Sequence, residues 1–90
     1  MKKYYALVSG LVQGVGFRQF TMAEAKSRNL YGWVRNTSDG DVELEVEGPE
    51  ETVEDFIEAV RNGSPSSQVE NVKTTPIDQV EHKNKFDVIL

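Results

Sequence analysis

The sequence predicts an α+β domain: an antiparallel sheet with two helices on one face, in the order strand, helix, strand, strand, helix, strand, with a short strand appended. Three observations carry that expectation. VELEVE, residues 42–47, alternates strictly, with Val42, Leu44 and Val46 on one face and Glu43, Glu45 and Glu47 on the other. GPEETVEDFIEAVRNG, residues 48–63, places Val53, Phe56, Ile57 and Val60 at i, i+3, i+4 and i+7, one apolar stripe of a helix. Just ahead of VELEVE stands SDGD, residues 38–41, an Asp-Gly turn of the kind that joins hairpin strands.

The remaining elements follow from composition and spacing. KKYYALVSGLVQ, residues 2–13, is apolar on both alternating sets, Tyr5, Leu7 and Leu11 on one and Ala6, Val8 and Val12 on the other. That suits a central strand covered on much of both faces. FRQFTMAEAKSR, residues 17–28, is helix-permissive, with Phe17, Phe20 and Ala23 at spacings of three and Leu30 extending the stripe. LYGWVRNTS, residues 30–38, is rich in aromatic and β-branched residues and reads as a strand. Pro49, Glu50 and Glu51 suit the start of the second helix, and Arg61 and Gly63 its end. After SPSSQ, residues 69–77 read as a strand interrupted late by Pro76, and FDVIL, residues 86–90, as a short final strand. This order is the ferredoxin-like split β-α-β arrangement, which by itself assigns no function.

Ninety residues set the scale of one domain, residues 1–90, and 38% hydrophobic content fits an ordinary globule. There is no cysteine, so disulfides and zinc thiolates are excluded, which suits a reducing compartment. No stretch approaches the roughly 18 apolar residues of a membrane span. The start, MKKYYALVSG, lacks the apolar run of a signal peptide. The expected location is therefore cytoplasmic, with no membrane partner. A net charge of −5 opposes a nucleic-acid partner, which calls for a basic face. An anion would have to be held by local donors against the overall field.

Such donors are expected at GLVQGVGFR, residues 10–18. The loop 13–17 lies between a strand's C-terminal end and a helix's N-terminus, where the first helical N–H groups lack partners and the dipole is positive. Glycines there let backbone amides turn inward, and Arg18 adds a planar fork for two phosphate oxygens. The loop is not the nucleotide-binding GxxxxGK[ST], nor a GxGxxG, because Gln19 stands where the last glycine belongs. Taken alone it leaves two readings open, an anion seat or a structural turn. Asn36 shares a sheet face with Val34 and should lie near the edge from which the loop projects. It is either a hydrogen-bonded turn residue or a group that positions water beside a bound phosphate.

VSGLVQGVGFR, residues 8–18, resembles the first acylphosphatase signature, V-x-G-x-V-Q-G-V-x-F-R, without departure. GWVRNTSDGDVELEVEG, residues 32–48, resembles the second, with an aromatic after Gly32 and then Asn36, Gly40, Val42 and Gly48 in place. The resemblance covers nearly the whole chain and points to a stand-alone acylphosphatase. It implies hydrolysis of acyl phosphates to carboxylate and orthophosphate, with orthophosphate as product and competitive inhibitor. Arg18 matches the family's phosphate-binding arginine and Asn36 its water-positioning asparagine. Gln13, Gly14, Val15, Gly16 and Phe17 match its phosphate cradle, which works mainly through backbone N–H groups. No metal, no cofactor and no covalent intermediate are implied, and a monomer is the simplest expectation.

Other residues invite different readings. His82, in VEHKNK, is expected to be a solvated loop histidine. The row Glu43, Glu45 and Glu47 is expected to face solvent rather than a metal. Tyr4, Tyr5, Tyr31 and Trp33 would suit RNA stacking on a ferredoxin-like sheet, but the glutamates occupy the central strand where stacking aromatics would be wanted. A module that binds phosphate without turnover is the other rival. Arg35 is expected to be structural or at the surface, and Thr37 and Ser38 to brace the turn.

Overall fold

The computed structural model describes residues 1–89. The chain runs β1 (Lys2–Leu11), α1 (Phe17–Lys26), β2 (Tyr31–Asn36), β3 (Val42–Gly48), α2 (Glu50–Asn62), β4 (Gln68–Pro76) and β5 (Phe86–Val88). The strands form one sheet in the order β4-β1-β3-β2-β5. VELEVE is thus the centre of the sheet, flanked antiparallel by β1 and β2. β4 pairs antiparallel with β1, whereas the appended β5 pairs parallel with β2, so the sheet as a whole is mixed. The final strand stops at Val88; residue 90 of the expected 86–90 lies outside the described residues.

Alternation decides what each strand buries. Ala6, Val8, Val34, Val42, Leu44 and Val46 are all fully buried on one face and pack with Val53, Phe56, Ile57 and Val60 of α2. Removing a large side chain from such a site, as in Leu44→Ala, costs about 2–5 kcal/mol. Phe86 of β5 joins the same core and meets Phe56 edge-on, ring centroids 5.9 Å apart.

The first helix differs from its expected stripe. Phe17, Thr21 and Ala25 are its buried residues, spaced by four, while Ala23 is exposed and Phe20 is only partly covered. The reason is chemical. Thr21 donates its hydroxyl proton to the Phe17 carbonyl, 2.9 Å away, so the hydroxyl is satisfied inside the helix and the residue can face the core. A strictly apolar template passes over such a position.

The glutamate face of the sheet carries no helix but is not bare. Tyr5 Oη donates to Glu43 at 2.7 Å, Arg35 pairs with the same carboxylate, and Trp33 Nε1 donates to Glu45 at 3.1 Å. The Arg35 guanidinium also lies over the Trp33 ring. Burial works against a charged Glu43, but the hydrogen bonds from Tyr5 and Arg35 outweigh it and hold this carboxyl below the usual range. The same burial, with the Glu43 contact, pushes the Tyr5 phenol up to about 12. His82 is not a solvated loop residue. Its Nε2 lies 3.0 Å from Glu47, its ring packs on Tyr31 at 4.9 Å, and its Nδ1 accepts from the Asn84 amide. The segment between β4 and β5 is anchored across this end of the sheet by that contact, by Val80, which is buried though outside the core cluster, and by Lys3 Nζ donating to the Asp78 carbonyl.

Candidate active site

β1 ends at Leu11, and residues 12–16 carry the chain into α1. Gly14 and Gly16 have φ of +75° and +76°, and a Cβ at either would meet nothing within 4 Å. Glycine is needed there for backbone conformation and not for space. Gly16 is also the N-cap of α1, in the left-handed region, and no side chain caps the helix. The first intrahelical bond runs from Phe20 N to Gly16 O at 3.1 Å, so the amides of Phe17, Arg18 and Gln19 precede the ladder. The first turn holds no acidic residue. A hollow of about 280 Å³ opens here, lined by Gly14, Gly16, Arg18 and Gln19 over a floor of Val12 and Phe17, with Val88 of β5 at its side. The lining includes no carboxylate. Amides ahead of the ladder, a helix N-terminus and a guanidinium beside one hollow are the donors that a small anion would require.

The cradle residues divide by task. Phe17 is a core residue as well as the first residue of α1, and Val15 packs against the core. Their side chains anchor the loop to the core. Arg18 is half-buried and lines the hollow.

Asn36 closes β2 in register with Val42, which on its other side faces Val8 of β1. Val8, Val42 and Asn36 therefore form one row across the sheet, at the end from which the loop projects. Asn36 does not line the hollow itself. Its Oδ1 is buried and has no hydrogen-bond partner among the described residues. A buried carboxamide oxygen without a donor is costly, commonly about 1–3 kcal/mol, unless something supplies one.

The segment after Asn36 is wider than the two-residue Asp-Gly turn. Residues 37–41 form it, closed by Thr37 N to Asp41 O at 2.9 Å and by Asp41 N to Thr37 Oγ1 at 3.1 Å. Thr37 braces the turn with both its backbone amide and its hydroxyl. Gln13 was expected to act through its backbone, yet its side chain is the one that reaches across: Nε2 donates to Thr37 O at 2.8 Å and to Asp41 O at 2.7 Å. The sequence carries no spacing signal for this contact, 24 and 28 residues away along the chain. No local pattern marks Gln19 or Val88 as residues that line the hollow.

A second, slightly larger hollow of about 310 Å³ lies between Trp33, Asp87 and the 81–83 segment. Three of its polar side chains are engaged, Trp33 with Glu45, His82 with Glu47 and Asp87 with Lys85, while Glu81 and Lys83 make no side-chain hydrogen bond or ion pair among the described residues.

Fold and site together define a small ferredoxin-like α+β protein with an uncapped helix N-terminus and an arginine-lined hollow where its first strand meets its first helix. The acylphosphatase family model matches residues 4–88. The chain is 46% identical to the acylphosphatase of Bacillus subtilis, over 99% of this chain and 98% of that protein. Its structure superposes on the crystal structure of acylphosphatase from Bacillus subtilis with a TM-score of 0.94, covering both chains completely. With an acylphosphatase from Coxiella burnetii the TM-score is 0.90 at 38% identity, over 98% of this chain and 92% of that one. The chain belongs to the acylphosphatase family and is an enzyme of that class.

Proposed function

We propose that the chain hydrolyses acyl phosphates, the mixed anhydrides of carboxylic and phosphoric acids, without a metal, by in-line attack of water on a phosphate seated in the first hollow. The uncapped N-terminus of α1 carries this reading. The Arg18 guanidinium and the amides of Gln13, Gly14, Val15, Gly16, Phe17 and Arg18 hold the phosphate. The Asn36 carboxamide holds the water: its buried, unpartnered Oδ1 accepts a hydrogen bond from the nucleophile, so that a lone pair of the water oxygen is aimed at phosphorus. The new P–O bond forms as the P–O bond to the acyl oxygen breaks, the carboxylate leaves with that electron pair, and both protons of the water stay on the orthophosphate as H2PO4⁻.

So few side chains suffice because the substrate is activated. A carboxylate is a good leaving group and needs little protonation. The loose transition state of phosphoryl transfer spreads charge over the equatorial oxygens, so positioning and electrostatic stabilisation do most of the work. Amides and a guanidinium supply that stabilisation in a fixed geometry.

The test is hydrolysis of an aryl acyl phosphate by purified protein in excess chelator, with wild type beside Asn36→Ala. The wild type is expected to turn over far above the spontaneous rate. The variant is expected to lose about 10²–10³-fold in kcat, the usual cost of one transition-state donor or acceptor. Inhibition by orthophosphate should persist in it. A wild type no faster than solvent would leave a phosphate-binding module, and a variant that kept turnover but lost orthophosphate would reverse the assigned roles.

A further inference from the structure

The two halves of the proposed site sit on strands that are not neighbours. The cradle follows β1 and Asn36 ends β2, with β3 between them in the sheet. The β1–β3 ladder stops at Val8 and Val42; from Ser9 to Leu11, β1 pairs only with β4. At the end where the phosphate and the water must meet, the ladder therefore ties the loop to the outer strand and not to the hairpin carrying Asn36. One side chain closes that gap. Gln13 leaves the loop between Val12 and Gly14 and spends both Nε2 protons on the hairpin, one on the carbonyl of Thr37, the residue after Asn36, and one on that of Asp41.

We infer that the Gln13 carboxamide is a positioning residue for the hydrolysis, fixing the β2 end that bears Asn36 against the loop that seats the phosphate. The inference rests on the water-holding role given to Asn36 above. The physical requirement is alignment. In-line attack tolerates little error, and a displacement of about 1 Å of a positioned group can cost about 10²-fold in rate. Two short, partly buried hydrogen bonds to the two ends of one turn fix both its distance and its tilt, which one bond would not. The contact is not needed to close the turn. The bonds from Thr37 N to Asp41 O, from Asp41 N to Thr37 Oγ1 and from Gly40 N to Thr37 O involve no atom of Gln13. The amides that hold phosphate belong to the backbone, so losing the Gln13 side chain should spare binding and harm turnover.

The experiment uses Gln13→Met, of similar length but without donors, alone and combined with Asn36→Ala, in the aryl acyl phosphate assay. Gln13→Met is expected to lower kcat by about 10–100-fold, within the range for misplacement of a reacting group. The inhibition constant of orthophosphate should move less than about threefold. In the double variant kcat should stay within about threefold of Asn36→Ala alone, because a residue acting through Asn36 has nothing left to position. Gln13→Glu adds a readout that a merely structural role would not move. Its ionised carboxylate faces two carbonyl oxygens with no proton to give, so it should be impaired at neutral pH. Below about pH 5, as the carboxyl protonates and one donor returns, its activity relative to wild type should rise.

Wild-type kcat in Gln13→Met, additive losses in the double variant, or equal losses of turnover and orthophosphate binding would each overturn the inference. So would variants that lose their fold, which would make Gln13 a structural staple. Wild-type protein without activity would sink the hydrolase reading itself. An active wild type with an impaired Asn36→Ala and an intact Gln13→Met would sink only this inference.

Discussion

The two helices of this chain begin in opposite ways. α2 starts at Pro49, with Glu50 and Glu51 in its first turn, and its first bond runs from Val53 N to Pro49 O. α1 starts at Gly16 in the left-handed region, with no acid in its first turn and Arg18 as its second residue. Both have three amides ahead of the ladder and the same positive end of a dipole, and neither has a side-chain cap. α2 meets that charge with its own carboxylates in solvent. α1 leaves it unmet beside a hollow and adds a cation. By stability alone the first arrangement is better; the second is sensible where a ligand brings the negative charge.

The sharpest way to break the comparison is to remove the added cation. Arg18→Ala is expected to lower kcat/KM by about 10²–10³-fold or more and to weaken orthophosphate inhibition as well, since in the proposed function the fork acts on bound phosphate and on the transition state. Full activity in steady-state assays of that variant would show that α1 is merely a poorly capped helix.

A smaller change makes α1 resemble α2. Gln19→Glu places a carboxylate in the first turn, next to the seat. Orthophosphate should inhibit it about tenfold less strongly, the effect of about 1.4 kcal/mol of charge repulsion. Its stability to urea without phosphate should rise by about 0.3–1 kcal/mol. Weaker inhibition without a gain in stability would mean that the seat owes little to the helix end.

The smallest effect is expected from the reverse exchange. Glu51→Gln removes one acid from α2 and should cost about 0.3–1 kcal/mol in the same denaturation experiment. Turnover should not change. Any loss of activity there would show that the two helix ends are coupled.

Much of this was readable from the sequence where neighbours along the chain decide the outcome. VELEVE, the stripe Val53–Phe56–Ile57–Val60 and the glycine loop each carry their structure in their own spacing. Asn36 was placed at the loop's end of the sheet by alternation and topology, and the register with Val42 agrees. What stayed hidden depends on partners far along the chain or on a polar group satisfied locally. Thr21 looked polar because its bond to the Phe17 carbonyl is not written in the residue type. His82 looked solvated because Glu47 and Tyr31 reach it only through the sheet. The Gln13 side chain could be named as part of a motif, but its two carbonyl partners exist only once β2 and β3 have paired.

The uncapped start of α1 also bears on how the protein unfolds. A seat that takes orthophosphate in the folded chain and not in the unfolded one links stability to the concentration of that ion. At 100 times the dissociation constant the gain is about 2.7 kcal/mol, and in a domain of this size each kcal/mol is worth about 4–8 °C in Tm. A helix end left without a cap of its own would then be completed by the product of the reaction, and the enzyme would resist heat best where its product has accumulated.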